Sequence, residues 1–599
     1  MQIHFARAAR ILAVCTGVGT AVQAAEPSYA PETKFSEIFG RAVNVTRSGK
    51  PVDDPTLADI LASDLSGASN AFARDAVKAL DSASASDCKS LVSLKLPWVR
   101  ILSADEVPAA PEAIAHCKVL GVVDKEINFE VDLPIAAGWN GKFLMGGGGG
   151  FLGTLQSQIK PAALYRGYAT AATDTGHPIP DDVGGSWALR DPERLANFGH
   201  RGTHLTQANA KIIIRAYYKK PIAKSYYYGS SGSGRVAMVQ AQRYPEDFDG
   251  LVAACPAYSW SKGMAISMAW TQQAMYRTAE DQYAFRSVVP ASKVAKMDDA
   301  IYAKCDAVDG LKDDLITTPA ACKFDPYEDL PRCAAGKDGA DCFTRDEIEA
   351  IAKIHAGPSN STGQLWSGWP YGGESIDGAW TAPKGSAYVI GTRFAEDGKD
   401  KGASFYSSRH YLLSNETLRH LVFNDPQYDL HRFNFEADTA AVLPMAAQVD
   451  ADNPDLTGLK NRGGKLLMWV GYSDWAVNAY STIDYYERVL AKMGGRDAVG
   501  DTARLFLMPG TGHCASSDPK RKTPTTADFL TALEEWVEQG RAPERILASH
   551  VNGDAGRAQS MPIKGTVDRT RPLCPYPSVA TYVGKGSTND AANFRCSTP

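Results

Sequence analysis

The stretch Tyr226-Tyr227-Tyr228-Gly229-Ser230-Ser231-Gly232-Ser233-Gly234-Arg235, followed by Val236-Ala237-Met238-Val239-Gln240-Ala241, decides the fold. An aromatic run stops at a turn of small residues, and a helix-compatible run begins at once. Strand, tight turn, helix is the context of a nucleophile elbow, where a strained turn lifts a serine hydroxyl clear of the backbone and small neighbours avoid a clash. In the Gly-x-Ser-x-Gly frame Gly229 lies two residues before Ser231, the candidate nucleophile. The closing glycine is replaced by Ser233, and Gly234 comes one residue late. On these residues alone a plain Gly/Ser loop or a phosphate-binding loop stays open.

Outward from the elbow the chain alternates strands with helices. Upstream, Val119 to Val123 and Ile127 to Val131 read as strands, the second with period-two alternation. Lys142-Phe143-Leu144-Met145 runs into five glycines, Gly146 to Gly150, and Phe151. Tyr168 to Asp174 is another strand, ending in Thr175-Gly176-His177, and Leu205 to Tyr218 is helix-like. Downstream, Phe248 to Pro256 is a strand. From 257 to 455 the alternation is lost in a region rich in Trp, Tyr and Gly. It resumes with a strand at Lys465 to Val470, a helix at Thr482 to Met493, a strand at Ala503 to Met508 and a helix at Asp528 to Glu538. The pattern predicts a doubly wound, mostly parallel sheet covered on both faces, residues 26–256 and 456–599, with 257–455 inserted as a lid domain.

Composition excludes several classes. A hydrophobic fraction of 44% with 22% charged residues is that of an ordinary globular chain rather than a disordered one. The net charge of −5 offers no basic surface for nucleic acid, and after the N-terminus no apolar run is long enough to span a bilayer. Residues 1–25 read as a secretory signal peptide: Arg7 and Arg10, an apolar run from Ile11 to Cys15, and small residues ending at Ala24-Ala25. The expected location is therefore periplasmic or extracellular. Of the eleven cysteines Cys15 leaves with the signal, and an even number in an exported chain argues for disulfides. Spacing suggests Cys88–Cys117, Cys305–Cys322, Cys333–Cys342 and Cys574–Cys596, leaving Cys255 and Cys514.

Three polar residues fall just after apolar strands in the order Ser231, Asp474, His513, which is the α/β-hydrolase order. A serine needs a base at neutral pH, a histidine can take its proton, and an aspartate can hold the imidazole tautomer and stabilise the imidazolium. The N–H groups of Gly150, in the glycine run, and of Gly232 are candidate oxyanion donors, worth ~3 kcal/mol each in such sites. A second cluster, Asp306, Asp309 and Asp313 around Gly310, offers the hard oxygen ligands that Ca²⁺ prefers, with a solvated acidic loop as the alternative.

Taken together the chain resembles the tannase/feruloyl esterase family of α/β-hydrolases, which includes terephthalate-monoester hydrolases. The resemblance runs from about Cys88 to Cys596. Its carriers are Trp139-Asn140-Gly141-Lys142-Phe143 with the glycine run, Ala172 to His177, the elbow, Cys305 to Asp313, Ser473-Asp474, Asp484 to Arg488, Pro509 to Cys514, and Thr570 to Pro577. The family implies hydrolysis of esters of aromatic acids (feruloyl, galloyl or terephthaloyl), a lid, and a structural Ca²⁺ held by the side chains of Asp306, Asp309 and Asp313 and the carbonyls of Leu311 and Leu315. A serine peptidase or amidase, or a binding protein with a decayed elbow, are the competing readings. Two departures stand out. Ser230 and Ser233 replace a cysteine and a glycine of the family's elbow, and Gly402, with Lys401 and Arg409 nearby, stands where a lid arginine grips a substrate carboxylate in the monoester hydrolases. The missing elbow cysteine deprives Cys514 of its family partner. Cys255 closes the neighbouring strand, so a Cys255–Cys514 bond is the expected replacement, two buried free thiols being the alternative.

Overall fold

The computed structural model describes residues 87–96, 98–110, 114–178, 184–382, 387–391, 408–518, 520–552 and 565–598. The signal peptide, Cys15, the segment to residue 86, Lys401 and Gly402 lie outside them.

One nine-stranded sheet organises the chain: β1 Val99–Val107, β2 His116–Val123, β3 Ile127–Pro134, β4 Lys142–Met145, β5 Ala169–Thr173, β6 Lys224–Ser230, β7 Gly250–Ala254, β8 Lys465–Gly471 and β9 Ala503–Met508. Their spatial order is β1-β2-β3-β5-β4-β6-β7-β8-β9. The three edge strands β1 to β3 are antiparallel, and from β5 to β9 every pairing is parallel. The elbow strand is central, and such a strand needs both faces apolar. Tyr226, Tyr227 and Tyr228 are all buried. Alternation sends Tyr227 to the face packed with Val236 and Val239 of helix α2, Gly232–Arg243, which follows helix α1, Gly202–Tyr218. Tyr226 and Tyr228 go to the opposite face, with Phe529, Leu533 and Trp536 of helix α4, Phe529–Gln539. Helix α3, Ala479–Met493, covers the first face beside β8, capped by the Asn478 side chain. This is the architecture of an α/β-hydrolase.

The expected strands and helices are present, with ends shifted by a few residues. The sequence pattern did not reveal β1, whose burial is irregular, or a C-terminal three-stranded sheet of Thr526–Ala527, Ile546–Asn552 and Thr566–Leu573. A hairpin of Val579–Tyr582 and Phe594–Ser597 was also missed. Burial along these strands does not alternate strictly, so no two-residue period marks them in the sequence.

Between the adjacent strands β7 and β8 the chain makes a long, mainly helical excursion. It owns a core of Met275, Met297, Ile301, Ile351, Trp369 and Trp380, into which Trp475 of the following segment inserts. Its first and last parts, among them Tyr258, Trp260, Met445 and Val449, pack instead on the main core. Arg235, fully buried just after the elbow, ties these together by donating to the carbonyls of Phe198, Gly199 and Val449. No helix among the described residues is long and apolar enough to cross a membrane.

One buried acid pair sits where the excursion meets the sheet. Glu374 accepts from the Gly372 N–H at 3.2 and 3.1 Å, and Asp298 accepts from Arg521 at 2.8 Å and from the Gly373 N–H at 3.3 Å. The His355 Nε2 lies 3.6 Å from Glu374, but burial pushes that imidazole down to about 4, so it brings no charge near neutrality. Burial first, then the Asp298 charge, holds the Glu374 carboxyl well above its ordinary 4.5. The unfolded chain thus ionises first, and stability falls as pH rises from 4.5 toward the folded value, by about 1.4 kcal/mol per unit of separation. Glu374→Gln is expected to gain melting temperature relative to the wild type on going from pH 5 to pH 8. Parallel melting-temperature profiles for the two proteins would show that Glu374 ionises normally.

Candidate active site

The C-terminal ends of the parallel strands share one edge. The register Ser230↔Ala254 and Trp469↔Ala254 places the residues that follow β6, β7 and β8 side by side there. The Ser231 N–H donates to Ala254 C=O at 3.0 Å, and the Cys255 N–H to Trp469 C=O at 2.7 Å. Ser231 is held at φ 59°, ψ −118°, a region an L-residue occupies only under constraint. The crowding around it explains the glycines. A Cβ at Gly229 would come within 2.0 Å of the Ser233 carbonyl oxygen, at Gly232 within 2.3 Å of the Gly150 oxygen, and at Gly234 within 2.5 Å of the Ala254 oxygen. Position 233 is not one of the crowded sites. The Ser233 hydroxyl is buried, accepts from the Ser230 N–H at 2.9 Å, and lies 2.9 Å from the Ser230 carbonyl and 3.3 Å from the Gly147 carbonyl. The frame departure in the sequence is thus sterically harmless.

The three residues picked out by strand order meet. The His513 Nε2 is 2.9 Å from the Ser231 Oγ, and its Nδ1 is 2.9 and 3.0 Å from the two Asp474 oxygens. The carboxylate forces Nδ1 to carry a hydrogen, which leaves Nε2 of the neutral ring as an acceptor for the serine O–H. Asp474 is buried, and its Oδ1 also accepts from the Ala476 and Val477 N–H groups at 2.8 Å. Those bonds keep its loop in place without help from solvent.

The two expected oxyanion donors, Gly232 and Gly150, lie against each other, and Gly232 follows Ser231 in the chain. Gly232 is the first residue of α2, so its N–H has no acceptor within the helix. Gly150, at φ 49°, rests its carbonyl against the Gly232 Cα.

All five expected disulfides are present: Cys88–Cys117, Cys305–Cys322, Cys333–Cys342, Cys574–Cys596 and Cys255–Cys514. Cys255–Cys514, with Cα atoms 5.6 Å apart, joins the end of β7 to the histidine loop. The loop needs such an anchor, since Cys514 and Ala515 sit at φ 46° and 81°. The Cys514 Sγ lies 3.5 Å from the His513 Nε2.

The acidic loop is less tidy. The Asp306 Oδ1 accepts from the N–H groups of Asp313 and Leu315 at 3.2 Å, and Asp309 accepts from the Leu311 N–H at 3.0 Å. Asp313 pairs with Arg571 and, at 3.4 Å, with Arg569, yet its Oδ1 is buried with no partner. Burial raises the pKa of both Asp306 and Asp313. An orphaned carboxylate oxygen among hard donors fits a hard cation. The three carboxylates do not converge, however. Among the described residues, the one group of three His, Cys, Asp or Glu ligand atoms within 4.8 Å of one another is Cys255, His513 and Cys514. A Ca²⁺ site needs the exposed Asp309 to turn inward.

Of the residues that the excursion brings to the site, the sequence pointed to Arg409 through the resemblance and missed Tyr388 and His410. The Tyr388 ring stands edge-on to His513 with centroids 5.6 Å apart, and the Arg409 guanidinium lies over the Tyr388 ring at 5.7 Å. His410 contacts the Trp475 carbonyl through Nε2 at 2.5 Å. Nothing periodic marks these positions.

The sheet order and the strand-turn-helix elbow define an α/β-hydrolase. The family model described as tannase and feruloyl esterase matches residues 111–597, and the chain belongs to that family. It is 34% identical to an uncharacterized esterase of Xanthomonas campestris pv. campestris, over 86% of this chain and 92% of the relative. It is 33% identical to the mono(2-hydroxyethyl) terephthalate hydrolase of Piscinibacter sakaiensis, over 83% and 87%. A probable feruloyl esterase of Arthroderma benhamiae is 32% identical over 85% and 93%. Among solved structures, feruloyl esterase B from Aspergillus oryzae superposes with a TM-score of 0.70 at 24% identity, covering 85% of this chain and all of that one, a likeness of fold. The protein is a carboxylic ester hydrolase.

The anchored histidine loop carries an expectation. Non-reducing digestion should release one cross-linked pair of peptides containing Cys255 and Cys514. The bond closes a span of 259 residues, for which chain entropy gives at most about 5 kcal/mol. Cys255→Ala should lower the melting temperature and reduce kcat by about tenfold through a loosened His513. Free alkylation of both thiols in unreduced, unfolded protein would show that the bond does not form.

Proposed function

We propose that the protein is an exported serine esterase that cleaves esters of aromatic acids through an acyl-enzyme. The observation that carries this reading is the continuous hydrogen-bonded chain from Ser231 through His513 to Asp474. The Ser231 Oγ attacks the ester carbonyl as His513 Nε2 takes its proton. Asp474 stabilises the resulting imidazolium. The N–H groups of Gly232 and Gly150 receive the oxyanion, and a low-dielectric site makes such fixed donors count for more than water would. His513 then protonates the leaving alcohol. In the second half a water attacks the acyl carbon as His513 removes its proton, the bond from the acyl carbon to the Ser231 Oγ breaks, His513 returns the proton to that oxygen, and the free acid departs.

Three things support an aromatic acyl group. The family is named for tannin and feruloyl esters, the Piscinibacter sakaiensis relative is named for a terephthalate ester, and Tyr388 presents a ring beside His513. Residues 257–455 act in this reading as a lid over the acyl ring. Ca²⁺, held by Asp306, Asp309, Asp313 and the carbonyls of Leu311 and Leu315, would neutralise the acidic loop at the lid's root and do no chemistry.

Ser231→Ala should lose at least ~10⁴-fold in kcat, whereas Ser233→Ala should leave Ser231 labelled by a fluorophosphonate. Unaltered turnover in Ser231→Ala would remove the mechanism. A panel of feruloyl, galloyl and hydroxyethyl-terephthaloyl esters, with matched anilides, assigns the acyl group; faster cleavage of the anilides would point to an amidase.

Excess chelator should lower the melting temperature and added Ca²⁺ restore it, because a ligand bound only by the folded state stabilises by mass action. No shift with chelator, together with metal-free purified protein by elemental analysis, would leave the acids as a solvated loop.

A further inference from the structure

The turn after β5, Asp174-Thr175-Gly176-His177, has no part in the triad, yet all four residues are buried. Its backbone is strained: Thr175, a β-branched residue, sits at φ 55° and Gly176 at 82°. Such a conformation costs on the order of 1–3 kcal/mol and persists only when its surroundings insist on it. Here Asp174 insists. Its Oδ1 accepts from the N–H groups of Asn128 at 2.9 Å and Gly176 at 2.8 Å, and its Oδ2 from the Asn128 amide at 2.6 Å. The Thr175 N–H closes onto the Thr173 hydroxyl at 3.1 Å.

What this turn presents is the His177 ring. It stacks on Trp187 with centroids 3.7 Å apart and meets Phe198 edge-on at 5.8 Å. The Nε2 lies 2.7 Å from the Phe151 carbonyl oxygen. Burial pushes the imidazole down to about 4, so it is neutral where the enzyme works. Both ring nitrogens face carbonyls, Nε2 that of Phe151 at 2.7 Å and Nδ1 that of Thr175 at 3.3 Å, and the one hydrogen of the neutral ring goes to the shorter contact, on Nε2.

The Phe151 carbonyl is a telling place to hold. The run Gly146–Gly150 has no side chains and cannot fix itself by packing. At its start the Ser233 hydroxyl lies against the Gly147 carbonyl. At its end Phe151 is the first residue with a side chain, buried between Phe198 and Trp260 at 6.0 and 5.0 Å. One residue earlier the Gly150 carbonyl lies against Gly232, the residue that follows Ser231 in the chain.

We propose that His177 is a positioning residue for ester cleavage: its Nε2–H grips the Phe151 carbonyl and thereby fixes the Gly150 N–H in the oxyanion hole before substrate arrives. It touches no substrate and moves no proton. The inference rests on the reading above in which Gly150 and Gly232 donate to the oxyanion.

The test compares folded His177→Gln, which keeps a donor at the reach of Nε2, with His177→Phe, which keeps the stacking and removes the donor. His177→Phe should lose about 10²-fold in kcat with KM little changed, and His177→Gln should recover to within about tenfold of wild type. An aryl boronic acid, which forms a tetrahedral adduct on the serine, should weaken in parallel with kcat, whereas affinity for the product acid should hold. A purely structural histidine would shift the melting temperature and leave the boronate affinity of folded protein alone. If His177→Phe does not fold, His177→Gln against His177→Asn, whose amide is too short, asks the same question. Wild-type-like kcat in His177→Phe or His177→Asn, or unchanged boronate affinity as kcat falls, overturns the proposal. Failure of the boronate to inhibit wild type, or turnover surviving Ser231→Ala, would instead overturn the serine reading beneath it.

Discussion

The structure depends on one strained residue. Ser231 at φ 59° can present its hydroxyl only if backbone passes within van der Waals contact on three sides, and each contact forbids a side chain. Gly229 faces the carbonyl of Ser233, Gly232 that of Gly150, and Gly234 that of Ala254. The strand before the turn must then be central, buried on both faces and flanked by β4 and β7. The N–H of the strained residue itself is taken by β7 through Ala254, so the sheet holds the serine. Strain of this size survives in a marginally stable molecule because the surrounding packing over-determines it.

The other two members of the triad are fixed by different physics. Asp474 lies in a self-bonded loop whose next residue, Trp475, is buried in the excursion between Trp369 and Trp380, with the His410 ring at its carbonyl. The acid is therefore attached to the excursion as much as to the sheet. His513 lies on a loop with two left-handed residues and little packing of its own, and there the covalent bond from Cys514 to Cys255 replaces packing. The bond reaches the loop from β7, one strand over from the elbow, which keeps the same sheet edge in charge of both.

Ser233 and Cys514 both mark departures from the family pattern. In the sequence Ser233 looks like a glycine lost from the elbow, and Cys514 lacks its family partner, with Cys255 on the neighbouring strand as the expected replacement. In space position 233 has room, and its hydroxyl is spent on the Ser230 N–H. The thiol finds Cys255 because parallel strands bring residues hundreds apart to one edge. The acidic loop is a different case. Spacing around Gly310 offers three carboxylates and leaves a cation site and a solvated loop both open, and the structure adds Arg571, a partner of Asp313 from the C-terminal sheet that no local reading of residues 306–315 contains.

What the sequence by itself determined is whatever repeats locally. The apolar strands from β2 to β9, the elbow's strand-turn-helix order, the Ser, Asp, His succession and the four short-range disulfides all follow from periodicity, small-residue turns and spacing, which need only neighbours in the chain. Tertiary structure decided what depends on residues far apart. It set the strands at the two ends, whose burial follows no strict two-residue period because their neighbours, not a single solvated face, decide which residues are covered. It set the Tyr388 ring beside His513, the aromatic housing of Trp475 and the His177 contact with Phe151. These are single contacts between distant segments. Nothing in the chain near either partner has to change when such a contact forms, so neither segment carries a pattern that announces it.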